Sequence, residues 1–166
     1  MNNITLGQYF LKELEEEAAA TRKCLERISE SLFEYKPHEK SMAMGYLTLL
    51  VAEIPLWIEQ MVEVGEINFA TFKHSQPKTT AEVVAFFDEN MAKAKKALSA
   101  ATDEQMQKMF TLKAGEQVLI AMKMDDSISS TIRHWVHHRG QLTVYMRLNN
   151  LAVPSIYGPS ADDKNF

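Results

Sequence analysis

The sequence contains a single cysteine, Cys24, so the chain has no second thiol with which to form an internal disulfide bond. A lone cysteine is typical of proteins from a reducing compartment, and within a helical repeat it behaves as a small apolar core residue. No window contains the roughly 20 apolar residues that a membrane-spanning helix requires. The N-terminal segment carries acids where a signal peptide has a basic start and an unbroken apolar run. These absences predict a cytoplasmic protein.

An excess of positive charge is also missing, since 18 lysines and arginines stand against 22 aspartates and glutamates. Binding to a phosphate backbone requires a basic stripe, whereas the acids and bases of this chain are mixed throughout. The composition therefore argues against nucleic acid as a partner. No repeat, linker or low-complexity run divides the 166 residues, which is the usual size of one domain. We expect one domain over residues 1–166.

Helical periodicity is present in most of the chain, because apolar residues recur at steps of three, four and seven. The spacing predicts four long helices, over about 5–29, 41–64, 80–100 and 126–150. Pro55 lies inside the second of them, where a proline removes one amide donor and kinks the helix. Residues 101–126 are less periodic and predict either a loose hairpin or a covering loop. Four amphipathic helices with little strand signal predict an all-α four-helix bundle.

Three of the five histidines lie in one five-residue stretch of the fourth predicted helix. His134, His138, Gln141 and Tyr145 are spaced at i, i+4, i+7 and i+11, which aligns them in one row along the helix. Trp135 lies beside this row, among residues that should face the core. The polar row is therefore expected to border a pocket between helices.

One predicted role of His134 and His138 is metal binding, because two imidazoles at i and i+4 can bind the same ion. Partly exposed, hydrogen-bonded histidines on a helix edge are the alternative. A catalytic zinc-type site uses three protein ligands, and neither His38 nor His74 has a pattern that places it beside the row. Glu53 on the second predicted helix is a candidate third ligand for zinc, nickel or manganese, with a solvated or capping charge as the alternative.

Two segments of the sequence resemble a known family of bacterial proteins. The segment HHRGQLTVYMRL, followed by VPSIYGPSADD, is similar to the C-terminal signature of the DinB-like (DinB/YfiT-like) family. The segment KSMAMGYLTLLVAEIPLWI resembles that family's second helix, including the AEIP turn. The resemblance covers essentially the whole chain. It implies a four-helix bundle of up-down-down-up topology, often assembled as a homodimer, with long connections between helices 2 and 3 and between helices 3 and 4.

The resemblance also implies a divalent metal held by three histidines, two of which correspond to His134 and His138. The third belongs to a second-helix pattern like GxLxxHxAEIP. In this chain the segment is GYLTLLVAEIP, and Leu50 occupies the ligand position. Because leucine has no donor atom, the usual set of three ligands cannot form. Either Glu53 or water replaces the lost ligand, or tight metal binding has been lost, and we expect the loss.

Three functions are compatible with this pattern. The first is a DinB-like protein of unassigned activity with a degenerate metal site, which binds a small molecule in an inter-helix pocket. The residues expected to line that pocket are Leu50, Glu53, Trp135, Gln141 and Tyr145. The second is a divalent-metal-dependent enzyme, as the resemblance to thiol-dependent S-transferases that use low-molecular-weight thiols implies, with His134, His138 and Glu53 as ligands. The third is a dimeric scaffold with an exposed apolar interface.

Overall fold

The computed structural model describes residues 4–165, and over that range it contains five α-helices and one three-stranded sheet. The helices are α1 (Leu6–Glu26), α2 (Met44–Val64), α3 (Thr80–Ala100), α4 (Asp103–Met106) and α5 (Met124–Leu148). The strands are β1 (Glu66–Asn68), β2 (Met109–Ala114) and β3 (Gln117–Lys123). The chain is therefore mostly helical. Within residues 4–165, none of the helices has the length and apolar character to cross a membrane.

Local side chains determine where the long helices begin and end. Thr5 caps α1 and Thr79 caps α3, because each hydroxyl accepts a hydrogen bond from the amide three residues later. Gln8 and Glu82 complete these capping boxes by accepting from the amides of the two threonines. Gly65 ends α2 at φ +77°, a left-handed conformation that glycine adopts without strain. The predicted starts of the first and third helices and the predicted stop of the second are confirmed.

The segment between α3 and α5 corrects the expectation of an all-α chain, because it contains a β-hairpin. Strands β2 and β3 pair antiparallel around a turn at Gly115, which has φ +62°, and Glu116. Strand β1 pairs with β2 in parallel, so the sheet order is β1-β2-β3. The strand signal in the sequence is weak because β3 is exposed along nearly its whole length, and its apolar residues do not alternate with polar ones. Of the two predictions for this region, the hairpin is confirmed.

Helix α1 packs against α3 and α5, and helix α2 packs against the same two partners. The start of α1 meets the end of α3, where Gly7 lies against Leu98 and Ala101. A Cβ atom at Gly7 would lie 2.5 Å from the carbonyl oxygen of Leu98, so this close approach requires glycine. Further along α1, Arg22 pairs with Asp88 in the first half of α3. These contacts place the apolar core between the four long helices.

Helix α5 carries a buried charge, Arg139, which is only 2% exposed. One guanidinium nitrogen pairs with Glu17 of α1 at 2.5 Å, and the other donates to the hydroxyl of Tyr157 at 2.9 Å. Further along, Arg27 at the end of α1 donates to the carbonyl of Ala152, just after α5, at 3.0 Å. These bonds neutralise the buried charge and attach the C-terminal tail to α1.

Candidate functional site

The histidines His134 and His138 lie together on α5, with their ring centroids 4.4 Å apart and their planes at 79°. The His134 ring also lies 5.8 Å from the ring of Trp57 on α2. Although His134 is exposed as a whole residue, the partial burial of its ring lowers its pKa, and the neighbouring imidazoles of His138 and His137 lower it further. The imidazole of His134 is therefore mainly neutral at pH 7, the form that binds metals or accepts hydrogen bonds.

The second histidine, His138, is buried and already has a partner on its own helix. Its Nδ1 lies 2.8 Å from Oε1 of Gln141 and donates a hydrogen bond to this oxygen. Tyr145, the last residue of the predicted row, is also buried and donates its hydroxyl hydrogen to the carbonyl of Met42 at 3.2 Å. The structure thus brings His134, His138 and Gln141 together, whereas the hydroxyl of Tyr145 is bonded to the segment before α2.

Glu53 on α2 is buried, at 2% exposure, and its hydrogen-bond partners lie outside the predicted row of polar residues on α5. Its Oε1 accepts from Nδ1 of His74 at 2.7 Å and from Nε1 of Trp57 at 3.3 Å. Among the described residues, Oε2 has no hydrogen-bond partner. Sequence reasoning missed His74 because it lies in the irregular connection between α2 and α3, where no periodicity relates it to a helix face.

A divalent metal does not fit the donor set of this site. Leu50 lies half-buried on α2 and supplies no donor atom, and Glu53 is bonded to other side chains. Within the described part of the chain, no three histidine, cysteine, aspartate or glutamate side chains stand close enough to hold one ion. Two imidazoles are one ligand short of the three that a catalytic zinc-type site uses.

Trp135, which we expected to line a pocket, lies in the hydrophobic core. It is 1% exposed and packs against Phe87 of α3, with ring centroids 6.1 Å apart. Its indole Nε1 donates to the carbonyl of Val51 at 2.9 Å. Trp135 therefore joins α5 to α2 and α3.

A cavity of about 260 Å³ lies between α2, α5 and the sheet, and we call it the inter-helix cavity. Most of its wall is apolar and comes from α2 and all three strands, including Trp57, Met61, Ile67, Phe110, Ile120 and Met122. Helix α5 supplies the polar part of the wall through Ser127, Ser130, Thr131 and His134, which share one face of the helix at i, i+3, i+4 and i+7. The sequence did not reveal this cavity because the strands that enclose it were not predicted.

Comparison with known proteins agrees with this architecture. The model of the DinB family matches residues 1–165. The uncharacterized protein YrdA of Bacillus subtilis is 28% identical over 161 residues, which cover 93% of this chain and 90% of that protein.

Two crystal structures of DinB-like proteins share the fold. YjoA from Bacillus subtilis is 19% identical, with a TM-score of 0.67 over 86% of this chain and 92% of that one. A protein from Bacillus cereus is 20% identical, with a TM-score of 0.67 over 89% of this chain and 95% of that one. Because the family model spans almost the full sequence, the chain belongs to the DinB family.

Proposed function

We propose that this DinB family protein binds a small apolar molecule in the inter-helix cavity and has lost tight metal binding. The observation that carries the proposal is the cavity of about 260 Å³, whose wall is largely apolar and whose edge includes His134. Engineered apolar cavities of about 150 Å³ bind benzene, so this volume is suited to a larger, bicyclic molecule. Removing the apolar surface of such a ligand from water supplies the binding free energy.

Leu50 and the environment of Glu53 support the loss of the metal. A complete structural zinc site contributes about 10–16 kcal/mol, so a missing ligand weakens binding by several kcal/mol. Within the described residues, Glu53 has one unbonded carboxylate oxygen, Oε2, but it does not stand with His134 and His138 in a group of three that could hold one ion. The two remaining histidines then serve as polar groups beside the cavity.

We also propose that the four long helices have the up-down-down-up topology. Contacts between the start of α1 and the end of α3 favour an antiparallel pair. The pairing of Met42 with Tyr145 and of Met61 with Thr131 favours antiparallel α2 and α5. The contacts of α1 with Arg139 and Ala152 favour parallel α1 and α5. Helices α2 and α3 then run in the same direction, which the long connection over 65–79 permits.

We further propose a cytoplasmic homodimer. The exposed apolar side chains of the hairpin, among them Met109, Val118 and Leu119, support self-association. The single cysteine, Cys24, is a buried free thiol, as expected of a protein from a reducing compartment. Analytical ultracentrifugation at micromolar concentration distinguishes a dimer from a monomer.

Elemental analysis and calorimetry test the main proposal. Protein purified without chelator or affinity tag should contain well under one nickel, zinc or manganese ion per chain, whereas the Leu50→His variant should acquire one. Indane, an uncharged bicyclic hydrocarbon, should bind to the wild type. Ile120→Trp should abolish this binding by filling the cavity. Leu119→Trp is the matched control, because Leu119 and Ile120 are similarly exposed (45% and 40%), whereas the cavity lining includes Ile120 and not Leu119.

Two results would change the conclusion. About one metal ion per chain, lost in His134→Ala, would favour the alternative of a divalent-metal-dependent enzyme, such as a thiol-dependent S-transferase. In that enzyme Glu53 would be the substitute third ligand, with Gln141 and Tyr145 positioning the substrate. A wild-type protein that binds neither indane nor its ketone, 1-indanone, would refute the cavity as a ligand site.

A further inference from the structure

The hydroxyl of Thr131 has an unusual partner. A threonine inside a helix commonly donates to the carbonyl four residues earlier, and the buried Thr21 and Thr48 do so at 2.8 and 2.7 Å. Thr131 is also buried, at 7% exposure, but its hydroxyl lies 3.8 Å from the sulfur of Met61. A thioether is only a weak acceptor. The hydroxyl of Thr131 is therefore turned across the gap between α5 and α2, where both residues line the inter-helix cavity.

The other polar groups of the cavity wall are placed differently. The hydroxyl of Ser127 donates to the carbonyl of Lys123 at 2.9 Å, so its hydrogen is already used within α5. Ser130 and His134 are exposed and lie at the edge of the cavity. Among the described residues that line the cavity, Thr131 therefore has the buried hydroxyl group that is bonded to a weak acceptor. A ligand with a stronger acceptor can replace that bond.

The inter-helix cavity has no charged wall. Among the described residues that line it, there is no aspartate, glutamate, lysine or arginine. A charged ligand would lose its hydration without gaining an ion pair, which makes its burial unfavourable. The cavity is therefore suited to an uncharged molecule.

We propose that the inter-helix cavity selects an uncharged bicyclic molecule that carries one acceptor oxygen, and that Thr131 donates a hydrogen bond to this oxygen. The inference rests on the proposed function, because it requires that the cavity bind a ligand. A carbonyl or ether oxygen is a stronger acceptor than the sulfur of Met61, so the hydroxyl of Thr131 gains by the exchange. The apolar strands and α2 contact the rest of the ligand.

Indane and 1-indanone provide the test, because they share a bicyclic frame and differ by one carbonyl group. Calorimetry should show that Thr131→Val, which keeps the shape and removes the hydroxyl, weakens 1-indanone binding roughly two- to tenfold, the worth of one neutral hydrogen bond. The affinity for indane should stay within about twofold of that of the wild type. Thr131→Ser keeps the hydroxyl and should keep the ratio of the two affinities. Thr48→Val, at a buried threonine of α2 that is not part of the cavity lining, should also leave that ratio unchanged.

The outcomes separate this inference from the function on which it rests. One outcome is that both compounds bind to the wild type while Thr131→Val changes both affinities equally or neither. In that case Thr131 does not bind the acceptor oxygen of the ligand, and the proposed function stands without this inference. If neither compound binds, the cavity is not a ligand site and both proposals fail. If indane-1-carboxylate binds as tightly as 1-indanone, the restriction to uncharged ligands is wrong. Thermal melting of each variant checks that it is folded.

Discussion

The indole Nε1 of Trp135 donates a hydrogen bond of 2.9 Å to the carbonyl oxygen of Val51, across the interface between α5 and α2. Pro55 explains why this carbonyl is available. The amide of residue 55 would normally bind the carbonyl of residue 51 within α2, and a proline has no amide hydrogen. A side chain of the last helix thus compensates for a proline in the second.

Replacing the indole of Trp135 should therefore lower the free energy of unfolding more when Pro55 is present than when it is absent. Trp135→Phe leaves the buried carbonyl of Val51 unsatisfied, which should lower the free energy of unfolding by about 1–3 kcal/mol in addition to any loss of packing. In a Pro55→Ala background the amide restored at position 55 can bind that carbonyl, so the same substitution should cost less. A double-mutant cycle by urea unfolding measures the difference. Equal losses in the two backgrounds would show that the hydrogen bond does not matter.

The bond from His74 to Glu53 leads to a second prediction. His74→Ala removes one of the two donors to a buried carboxylate and should destabilise the protein by about 1–2 kcal/mol, a value reduced because the His74 side chain is half exposed. The loss should largely disappear in a Glu53→Leu background, where no carboxylate needs a partner. His38→Ala, at an exposed loop histidine, is the control and should have little effect. If His38→Ala and His74→Ala cost the same, the pair contributes nothing.

The thiol of Cys24 leads to a prediction about alkaline pH. Burial raises the pKa of Cys24 from about 9 to about 11, and the charges of Arg139 and Arg27 oppose this rise only in part. Because the folded-state pKa lies above the unfolded value, the thiol favours the folded state below pH 9, and this contribution is lost as the pH rises towards 11. By pH 10.5 the loss should reach roughly 2 kcal/mol.

Urea unfolding of the wild type and of Cys24→Ala at pH 8 and pH 10.5 isolates this contribution, since all other titrations are common to the two proteins. The wild type should lose more stability than the variant. The same shift predicts that Cys24 reacts with iodoacetamide only when the chain unfolds. Identical pH profiles, or rapid alkylation of the folded protein, would contradict the burial of the thiol.

The buried ion pair of Glu17 with Arg139 should stabilise the fold far more than the exposed ion pairs do. Glu17→Ala leaves a buried guanidinium without its counter-charge and should destabilise the fold by about 3–5 kcal/mol. Asp88→Ala breaks the exposed pair with Arg22, which solvent screens, and should have little effect on stability. Chemical denaturation of both variants gives the comparison. Similar losses would mean that Arg139 finds water or another partner.

Much of the helical framework could be predicted from the sequence, because it depends on local interactions. Thr5, Thr79 and Gly65 act on amides and carbonyls a few residues away, and apolar periodicity follows from the geometry of a single helix. The proximity of His134 and His138 on one face of α5 has the same origin. These features need no information about distant segments.

The bonds of Glu53 to His74, of Val51 to Trp135 and of Arg139 to Glu17 could not be predicted in this way, because each joins residues that are distant in the chain. The inter-helix cavity likewise exists only because the hairpin closes over α2 and α5, and its strands carry too little alternation to be recognised. Spacing along one helix places two histidines side by side, but a third ligand must come from another element. Long-range packing therefore bonds Glu53 to His74 and leaves His134 beside an apolar cavity, since burial satisfies each polar group with whichever partner the fold brings within reach.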